Sequence, residues 1–449
     1  MASTYLNRSV TTTQADSARY KFTVSFWIKC SEATPNTYIW QDYYSEAYRT
    51  FLKFNSGTIH FRSKNNSSDV VELKSNQLFR DVNGWYHFVI VGDSTQTTAS
   101  DRVKIYVNGE QITSFSIATY INQNTGFELA NNTWSQQIGA RNNNGSFSEH
   151  FSGSMSHFYY TESYAYAPTD FGETDTTTGE WKAKTSPSIT YGTNGFLILK
   201  DGNTITDQSS NSNDFTLGGG TLTDLKDNPD NVFATLNSLN SWGLNVLSNG
   251  NLTITNTGTD AAHTQSTLHM NSGKWYMEFN VDTHSSGSSA PMFILAGTGA
   301  YQQKQTGFNA SGDGSYGIGS NAKKITDGVD TNASFSQLVN GDKVQIAFDA
   351  DAGKAWFGIN GAYLDSGNPT TGANPYFTAT KLQNNDVSLT ILGYGTQGKA
   401  SCNFGNGYFG TTAITTNSGN GYSGAEGSSK FNYTVPTGYS ALSTKGLNE

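Results

Sequence analysis

The chain has 449 residues, a formal net charge of −9, and an aromatic content of 13%. This length exceeds what one β-sandwich core holds, so we expect two or three domains, and the aromatic content argues against a disordered chain. Lys and Arg form no clustered run, which argues against direct binding of nucleic acid. Abundant Thr and aromatic residues favour strands and abundant Gly and Asn favour turns, so the composition predicts an all-β protein.

The N-terminal sequence, which begins Met1-Ala-Ser-Thr-Tyr-Leu, has neither the basic nor the apolar region of a signal peptide. Apolar runs such as Phe88 to Val91 are too short to span a bilayer. We therefore expect a protein that is made in a cytoplasm and does not insert into a membrane. Cys30 and Cys402 fall in different predicted domains, which predicts two buried free thiols.

The first predicted domain opens with an alternating strand over residues 22–29, whose large apolar side chains share one face. Residues 85–91 are apolar on both faces, as in a central sandwich strand. Val103 to Val107 alternates before an Asn-Gly turn, and we expect it to pair with that central strand. Gly153 to Tyr160 is the expected closing strand. Residues 41–48 are predicted to form a loop between two earlier strands.

Four motifs mark this domain: Phe22-Thr-Val-Ser-Phe-Trp-Ile-Lys, Gly84-Trp-Tyr-His-Phe-Val, Val103-Lys-Ile-Tyr-Val-Asn-Gly and Phe151-Ser-Gly-Ser-Met-Ser-His-Phe. Their order resembles the concanavalin A-like (laminin G-like) jelly roll over residues 1–175. The resemblance implies a fold and no particular ligand, because lectins, glycanases and adhesion modules share that fold.

Residues 176–232 are predicted to form a short β-hairpin segment that connects two sandwiches. Thr, Gly, Asp and Asn dominate the segment, and its clearest strand signal begins at Gly195. Trp181, Tyr191 and Phe196 need burial, so the segment is expected to dock on a neighbouring domain.

A third block covers residues 233–410, and residues 411–449 are a C-terminal extension that adds a strand or clamps a neighbour. Alternation in Lys343 to Gly361, split by a turn, predicts an antiparallel hairpin at the centre of this block, with Trp356 in its packing. The block contains the series Gly273-Lys-Trp-Tyr-Met-Glu, Gly341-Asp-Lys-Val, Trp356-Phe-Gly-Ile-Asn-Gly and Asn403-Phe-Gly. This series resembles the SPRY (B30.2-type) β-sandwich, whose members are non-catalytic and bind partners through loops.

Further segments include Ala167-Pro-Thr-Asp-Phe-Gly-Glu-Thr-Asp, Tyr191-Gly-Thr-Asn-Gly-Phe and Asp227-Asn-Pro-Asp-Asn-Val-Phe-Ala-Thr-Leu-Asn. Together with the two sandwiches they resemble structural proteins of tailed bacteriophages, especially marine ones. The resemblance implies a non-enzymatic virion component, made in the host cytoplasm and placed on a tail fibre or as a head decoration. Its partners would be other virion proteins or a host-surface glycan or protein, and it would form a homo-oligomer, with a trimer favoured.

The alternative function is a phage-tail polysaccharide depolymerase. Glycanases with a jelly-roll fold align carboxylates on one strand face as Glu-x-Asp-x-x-Glu. The nearest string here, Glu173-Thr-Asp175, is followed by Thr178 and only then by Glu180, so the strand period is broken. We therefore predict that the chain has no glycanase activity of this type.

We expect no cofactor, with calcium as the one open case. Lectin-like sandwiches hold Ca²⁺ in loops through carboxylates. Asp201, Asp207 and Asp214 are the candidate ligands, and the competing interpretation is that they cap turns.

The candidate ligand-binding residues belong to the predicted loop at 41–48: Trp40, Asp42, Tyr43, Tyr44 and Tyr48. Aromatic faces stack on sugar rings while neighbouring polar groups bind hydroxyls. Three uses remain open for these tyrosines: contact with a neighbouring subunit, packing within the chain, and binding of a glycan.

Overall fold

A computed structural model gives the structure of the chain. It describes residues 3–12, 15–131, 133–176, 179–200, 202, 204–258, 262–284, 291–297, 312–393, 398–415, 423–425 and 427–448, apart from the side chains of 16 and 448. The chain divides into two compact units, Met1–Asp224 and Leu225–Glu449. Both consist of mainly antiparallel sheets, so the predicted all-β class is confirmed. Among the described residues, no helix has the length and apolar character needed to cross a membrane.

The strands of the first unit are β1 (Tyr5–Ser9), β2 (Lys21–Cys30), β3 (Tyr38–Ser45), β4 (Tyr48–Asn55), β5 (Thr58–Asn65), β6 (Ser68–Leu78), β7 (Tyr86–Asp93), β8 (Val103–Val107), β9 (Glu110–Ile112), β10 (Phe115–Thr119), β11 (Ser135–Ile138), β12 (Arg141–Asn143), β13 (Ser146–Ser148), β14 (Gly153–Glu162), β15 (Gly172–Thr174), β16 (Trp181–Ala183), β17 (Phe196–Ile198) and β18 (Thr216–Gly219). Short 3-10 helices cover Asp16–Tyr20, Ala99–Asp101 and Pro168–Asp170.

Two sheets form the first sandwich. The β3 sheet has the order β10-β6-β5-β4-β3-β11-β1-β18, and the β2 sheet has the order β17-β14-β2-β7-β8-β9. The predicted central strand pairs with β2 on one side and with β8 on the other. Between the sheets lies one apolar core that includes Phe26, Phe54 and Phe88. Alternation in β2 places its large apolar residues in that core, as the sequence predicts.

The first unit extends beyond the predicted boundary at residue 175. β17 pairs with β14 in the β2 sheet, and β18 pairs with β1 in the β3 sheet. Phe196 is fully buried in the first core. The predicted connecting segment at 176–232 is therefore largely part of the first sandwich, because β17 and β18 each form an edge strand of one of its two sheets.

The predicted loop at 41–48 is wrong. β3 and β4 run through it and are joined by a tight turn at Glu46 and Ala47. The sequence pattern does not indicate this strand, because the polar residues Gln41 and Asp42 interrupt the apolar alternation. Both side chains are nevertheless buried.

The strands of the second unit are β19 (Leu236–Trp242), β20 (Asn245–Ser248), β21 (Thr253–Asn256), β22 (Ala262–Ser266), β23 (Lys274–Thr283), β24 (Met292–Ala296), β25 (Ser315–Gly319), β26 (Lys323–Thr326), β27 (Val329–Asn332), β28 (Lys343–Asp349), β29 (Lys354–Ile359), β30 (Ala362–Tyr363), β31 (Phe377–Thr378), β32 (Ser388–Gly393), β33 (Lys399–Asn403), β34 (Tyr408–Phe409), β35 (Thr412–Ala413) and β36 (Ser440–Ala441). Short 3-10 helices cover Leu364–Ser366 and Gly446–Asn448.

The second sandwich also has two principal sheets. The β24 sheet has the order β19-β22-β32-β24-β25-β26-β27. The β23 sheet has the order β20-β21-β33-β23-β28-β29-β30, with β31 and β36 attached to β29 and β23. The predicted hairpin is confirmed as β28 and β29, paired from Val344–Ile359 to Asp349–Lys354. Trp356 is buried, as predicted, and its indole Nε1 donates to the carbonyl of Ala373 at 2.8 Å.

The C-terminal residues belong to the second unit. β36 pairs in parallel with β23, so the expectation that the tail adds a strand is confirmed. The predicted domain boundary at residue 410 therefore cuts through one compact unit.

Candidate functional site

The five candidate ligand-binding residues do not share one surface. Trp40 lies in the first hydrophobic core and is completely buried. Asp42 is also completely buried, so neither side chain can meet a ligand at the surface. Tyr43 is buried on the opposite face of β3, where its hydroxyl donates to Oδ1 of Asn144 at 2.9 Å and accepts from the Asn144 backbone N–H at 3.1 Å.

Asp42 serves the interior of the first sandwich. Its Oδ2 accepts hydrogen bonds from the backbone N–H of Ala130 at 2.6 Å and from Nε2 of Gln136 at 3.0 Å. Its Oδ1 is buried and has no hydrogen-bond partner among the described residues. Burial raises the pKa of Asp42 to about 7, because the charged form loses its solvation.

Tyr44 is the exposed member of the set, with 57% of its surface accessible. The pairing of β3 with β4 shifts register between Tyr43 and Ser45, and such a bulge turns a side chain away from its regular direction. The Tyr44 ring stacks on Trp134, with centroids 6.2 Å apart and planes 17° apart. Tyr48, which is half-buried, meets the Tyr44 ring edge-on at 6.3 Å.

Trp134 is the residue that the sequence analysis missed. β11 pairs with β3 so that Ser135 lies opposite Tyr43, which places Trp134 beside Tyr44. Trp134 is itself 5% exposed, so it supports the Tyr44 ring from below. We call Tyr44, Tyr48 and Trp134 the aromatic platform.

A chain of ion pairs begins beside the platform. Glu46 contacts Arg49 at 2.9 Å and Arg141 at 3.4 Å. Glu149 contacts Arg141 at 3.3 Å and Lys53 at 2.7 Å. The guanidinium of Arg49 and the ammonium of Lys53 also lie over buried aromatic rings of the β3 sheet. These contacts hold carboxylate and guanidinium groups in fixed positions, starting from the turn between Tyr44 and Tyr48.

The candidate calcium ligands act as loop caps where the structure describes them. The carboxylate of Asp207 accepts from the backbone N–H groups of Leu197, Ser209 and Asn213, at 2.8 to 2.9 Å, and from the Ser209 hydroxyl at 2.7 Å. Oδ1 of Asp214 accepts from the backbone N–H of Asp207 at 2.8 Å. Asp201 lies outside the described residues. Within the described part of the chain, no three His, Cys, Asp or Glu side chains gather as a metal site would require.

The carboxylates considered for a glycanase are strand and turn residues. Glu173 lies in β15, and both Glu173 and Asp175 contact Nζ of Lys182, at 3.8 and 2.9 Å. Glu173 and Asp175 therefore share one ammonium group at the surface.

A buried Ser25–His87 pair has the wrong protonation for a nucleophile and its base. The indole Nε1 of Trp181 donates to Nδ1 of His87 at 3.0 Å, so the neutral ring carries its proton on Nε2. That Nε2 faces the Ser25 hydroxyl at 2.8 Å and donates to it. Burial also lowers the pKa of His87 to about 3, so this ring is a poor base.

Residues 4–162 match the model of a protein family described as the Concanavalin A-like lectin/glucanases superfamily. The match confirms the concanavalin A-like, laminin G-type resemblance over those residues. It covers the strands that carry the aromatic platform. No curated protein sequence matches the chain.

Several solved structures are similar to the chain. The SPRY domain of human HERC1 shares 12% identity with a TM-score of 0.30, covering 37% of this chain and 96% of that chain. A native heptameric SAP-like pentraxin from Limulus polyphemus shares 19% identity with a TM-score of 0.26, covering 37% and 72%. The LG1-3 region of the laminin alpha2 chain shares 9% identity with a TM-score of 0.33, covering 89% of this chain and 60% of that chain. These likenesses concern the fold alone, and SPRY domains are among the structural neighbours.

Proposed function

We propose that the chain is a non-enzymatic, glycan-binding structural component of a bacteriophage particle. Its first sandwich binds one sugar ring of a host-surface glycan on the aromatic platform. The observation that carries this proposal is the exposed ring of Tyr44, stacked on Trp134, with the ion-paired Glu46 in the turn two residues further along the chain. A sugar ring stacks on such a face, and neighbouring carboxylate and guanidinium groups bind its hydroxyls.

The size of the exposed apolar surface favours a glycan over a protein. A specific protein interface buries about 800 Å² on each partner and has an apolar centre. At the tip of β3, one aromatic ring is exposed, and the groups beside it are charged and paired with each other. One exposed ring is wide enough to stack on a monosaccharide but too small to form the apolar centre of a protein interface.

The virion assignment rests on the sequence segments that resemble tailed-phage structural proteins. A lectin-type sandwich on a fibre or on the head would present the platform to the host surface. The partners of the chain are then the neighbouring virion proteins and the host glycan, and we favour a trimer because fibre proteins are usually symmetric oligomers. Immunogold labelling of intact particles tests this placement. Gold absent from particles whose lysate contains the chain would contradict it.

Binding without cleavage is supported by the contacts of the acids in the ion-pair chain. Glu46 and Glu149 each pair with two cationic side chains, so their carboxylates are engaged in contacts within the chain. Incubation of the purified chain with host polysaccharide should release no new reducing ends. A time-dependent rise in reducing ends would favour the depolymerase instead.

An oligosaccharide array tests the ligand class. We expect the wild-type chain to bind a defined set of glycans and Tyr44→Ala to lose that binding by about tenfold, as expected for one aromatic stacking contact. Tyr164→Ala is the matched control, since Tyr164 is also an exposed aromatic residue of the first unit, at 39%. Equal array profiles for Tyr44→Ala and the wild type would contradict the proposal.

A further inference from the structure

The outer face of the β23 sheet is covered by the last part of the chain. We call residues 431–443 the C-terminal strap. The strap and the sheet share a buried cluster that consists of Phe233, Tyr276, Ala347, Trp356, Phe431, Tyr439 and Ala441. Within it, the ring of Phe431 packs edge-on against Tyr276, with centroids 4.9 Å apart and planes at 78°. The strap therefore buries aromatic surface of the sheet that would otherwise face solvent.

A buried carboxylate binds the strap through its backbone. Oε2 of Glu278 accepts from the backbone N–H of Asn432 at 2.7 Å, and Oε1 accepts from the backbone N–H of Tyr433 at 2.8 Å. Glu278 is completely buried in the sandwich. Two adjacent amides donating to one carboxylate recognise the direction and position of a peptide backbone and not its side chains.

Side chains of the sheet itself also hold the Glu278 carboxylate in place. The Tyr276 hydroxyl donates to Oε1 of Glu278 at 2.9 Å and itself accepts from Nε2 of Gln345 at 3.0 Å. Nδ2 of Asn403 lies 3.4 Å from Oε2. Tyr276 lies in the same strand as Glu278, and Gln345 and Asn403 lie in the two neighbouring strands, so the acceptor is part of the sheet and not of the strap.

The strap also completes the edge of a strand. β33 pairs with β23 from Glu278 to Thr283, and β36 pairs with the preceding residues, Trp275 with Ser440 and Tyr276 with Ala441. Addition of an extended segment to a free strand edge is a common mode of peptide recognition. The groove thus has three recognition elements: a carboxylate for two amides, an aromatic pocket and a strand edge.

We propose that this groove is a peptide-binding site whose ligand is an aromatic residue followed by two free backbone amides and an extended segment, and that a second copy of the chain can supply it with its own strap. Every contact that seats the strap is available unchanged to the identical segment of another copy. Exchange of identical elements between copies is a low-cost route to an oligomer, because it creates no new interface chemistry. The groove then links copies through peptide recognition, separately from the glycan platform.

A labelled peptide tests the site. The full-length double variant Phe431→Ala, Asn432→Pro keeps the groove but removes the aromatic ring and one amide donor of its own strap. A fluorescent peptide with the sequence of residues 428–445 should bind this variant at least tenfold more tightly than it binds the wild type, whose groove is filled. The same peptide with Phe431→Ala should not bind, and Glu278→Gln added to the double variant should reduce binding at least tenfold. Failure of the wild-type peptide to bind a double variant with wild-type circular dichroism would overturn the proposal.

A second measurement tests the peptide-binding site if the double variant does not fold. Gly427 lies outside the strap and its Cβ position has no neighbour within 4 Å, so we choose it for insertion of a protease site. After cleavage of the folded wild-type chain, the released strap should exchange with labelled peptide on dilution. A cleaved strap that never exchanges would show that it is a fixed part of the fold and would overturn the proposal.

Mixing two variants tests whether the strap of one copy binds the groove of another. The double variant offers an open groove, and Glu278→Gln offers a loosened strap. Analytical ultracentrifugation of the mixture should show a species heavier than either variant alone. A mixture that sediments as the sum of its components would overturn exchange between copies, whatever the peptide result.

Discussion

Tyr44 stacks on Trp134 across the pairing of β3 with β11, although the two residues are ninety positions apart in sequence. Tyr44 is exposed and Trp134 is almost completely buried. The buried ring fixes the orientation of the exposed one, so the platform is pre-organised and little conformational entropy is lost when a sugar binds.

Loss of the supporting ring should weaken glycan binding although Trp134 itself is not at the surface. We expect Trp134→Ala to reduce affinity about threefold to tenfold, because Tyr44 loses the stacking contact that orients it, which is worth about 0.5–1.5 kcal/mol. Trp134→Phe should retain most of the affinity. Calorimetric titration of each variant with a glycan from the array measures the effect. Unchanged affinity in Trp134→Ala would show that Tyr44 needs no support.

Tyr43 should behave differently from its neighbour. Tyr43→Phe removes both hydrogen bonds with Asn144, so it should lower the free energy of unfolding by about 1 kcal/mol. Glycan affinity should stay at the wild-type value, because the Tyr43 side chain is buried and is not part of the aromatic platform. Chemical denaturation and the array measure the two effects. A Tyr43→Phe variant that binds less glycan while keeping its stability would contradict this division of roles.

The sequence predicts the parts of the fold that depend on local alternation. The pattern predicts β2, β8 and the β28–β29 hairpin, because apolar residues recur there at every second position. The pattern predicts β3 only in part, since the buried Asp42 accepts a hydrogen bond from Gln136, which lies 94 residues further along the chain. No pattern near Asp42 indicates that its carboxyl is buried.

The site was predicted only in part for a related reason. Tyr44 was identified as an aromatic residue among polar ones, but its outward direction depends on a register shift that one strand alone does not reveal. The position of Trp134 depends on the pairing of β11 with β3, which is a non-local contact. Glu278 ends the motif Gly273-Lys-Trp-Tyr-Met-Glu, yet its role depends on the strap, which lies more than 150 residues later.

Asp42 should make the stability of the first unit depend on pH. Its pKa is raised from 3.8 to about 7 in the folded chain, so between these values the native state keeps a proton that the unfolded state has lost. The free energy of unfolding should therefore fall as pH rises from about 4 to about 7, by an amount on the order of 4 kcal/mol. Equilibrium denaturation at several pH values measures this dependence.

The matched variant is Asp42→Asn, which keeps an oxygen for the Ala130 amide but does not titrate. In this variant the free energy of unfolding should depend less on pH, because the contribution of Asp42 is absent. Glu278→Gln is the counterpart in the second unit, where burial raises the pKa of Glu278 from 4.5 to about 7. If the free energy of unfolding changes equally with pH between pH 4 and pH 7 in the wild type and in Asp42→Asn, Asp42 is not the source of the dependence.

Asp207 should stabilise the chain without calcium. Its carboxylate accepts four hydrogen bonds, from Leu197 in β17 and from Ser209 and Asn213 in the following loop, so we expect Asp207→Ala to lower the free energy of unfolding by about 2–4 kcal/mol. Addition of EDTA or of millimolar calcium should leave the Tm of the wild-type chain unchanged. A Tm that rises with calcium in the wild type but not in Asp207→Ala would instead identify a calcium site at this loop.

The most direct test of the platform is the affinity of three Tyr44 variants for one glycan taken from the array. We predict that Tyr44→Trp and Tyr44→Phe retain binding, because either ring offers a face for stacking, and that Tyr44→Ala loses about tenfold in Kd with an unchanged Tm. Equal Kd values for Tyr44→Ala and the wild type would contradict glycan binding at the platform.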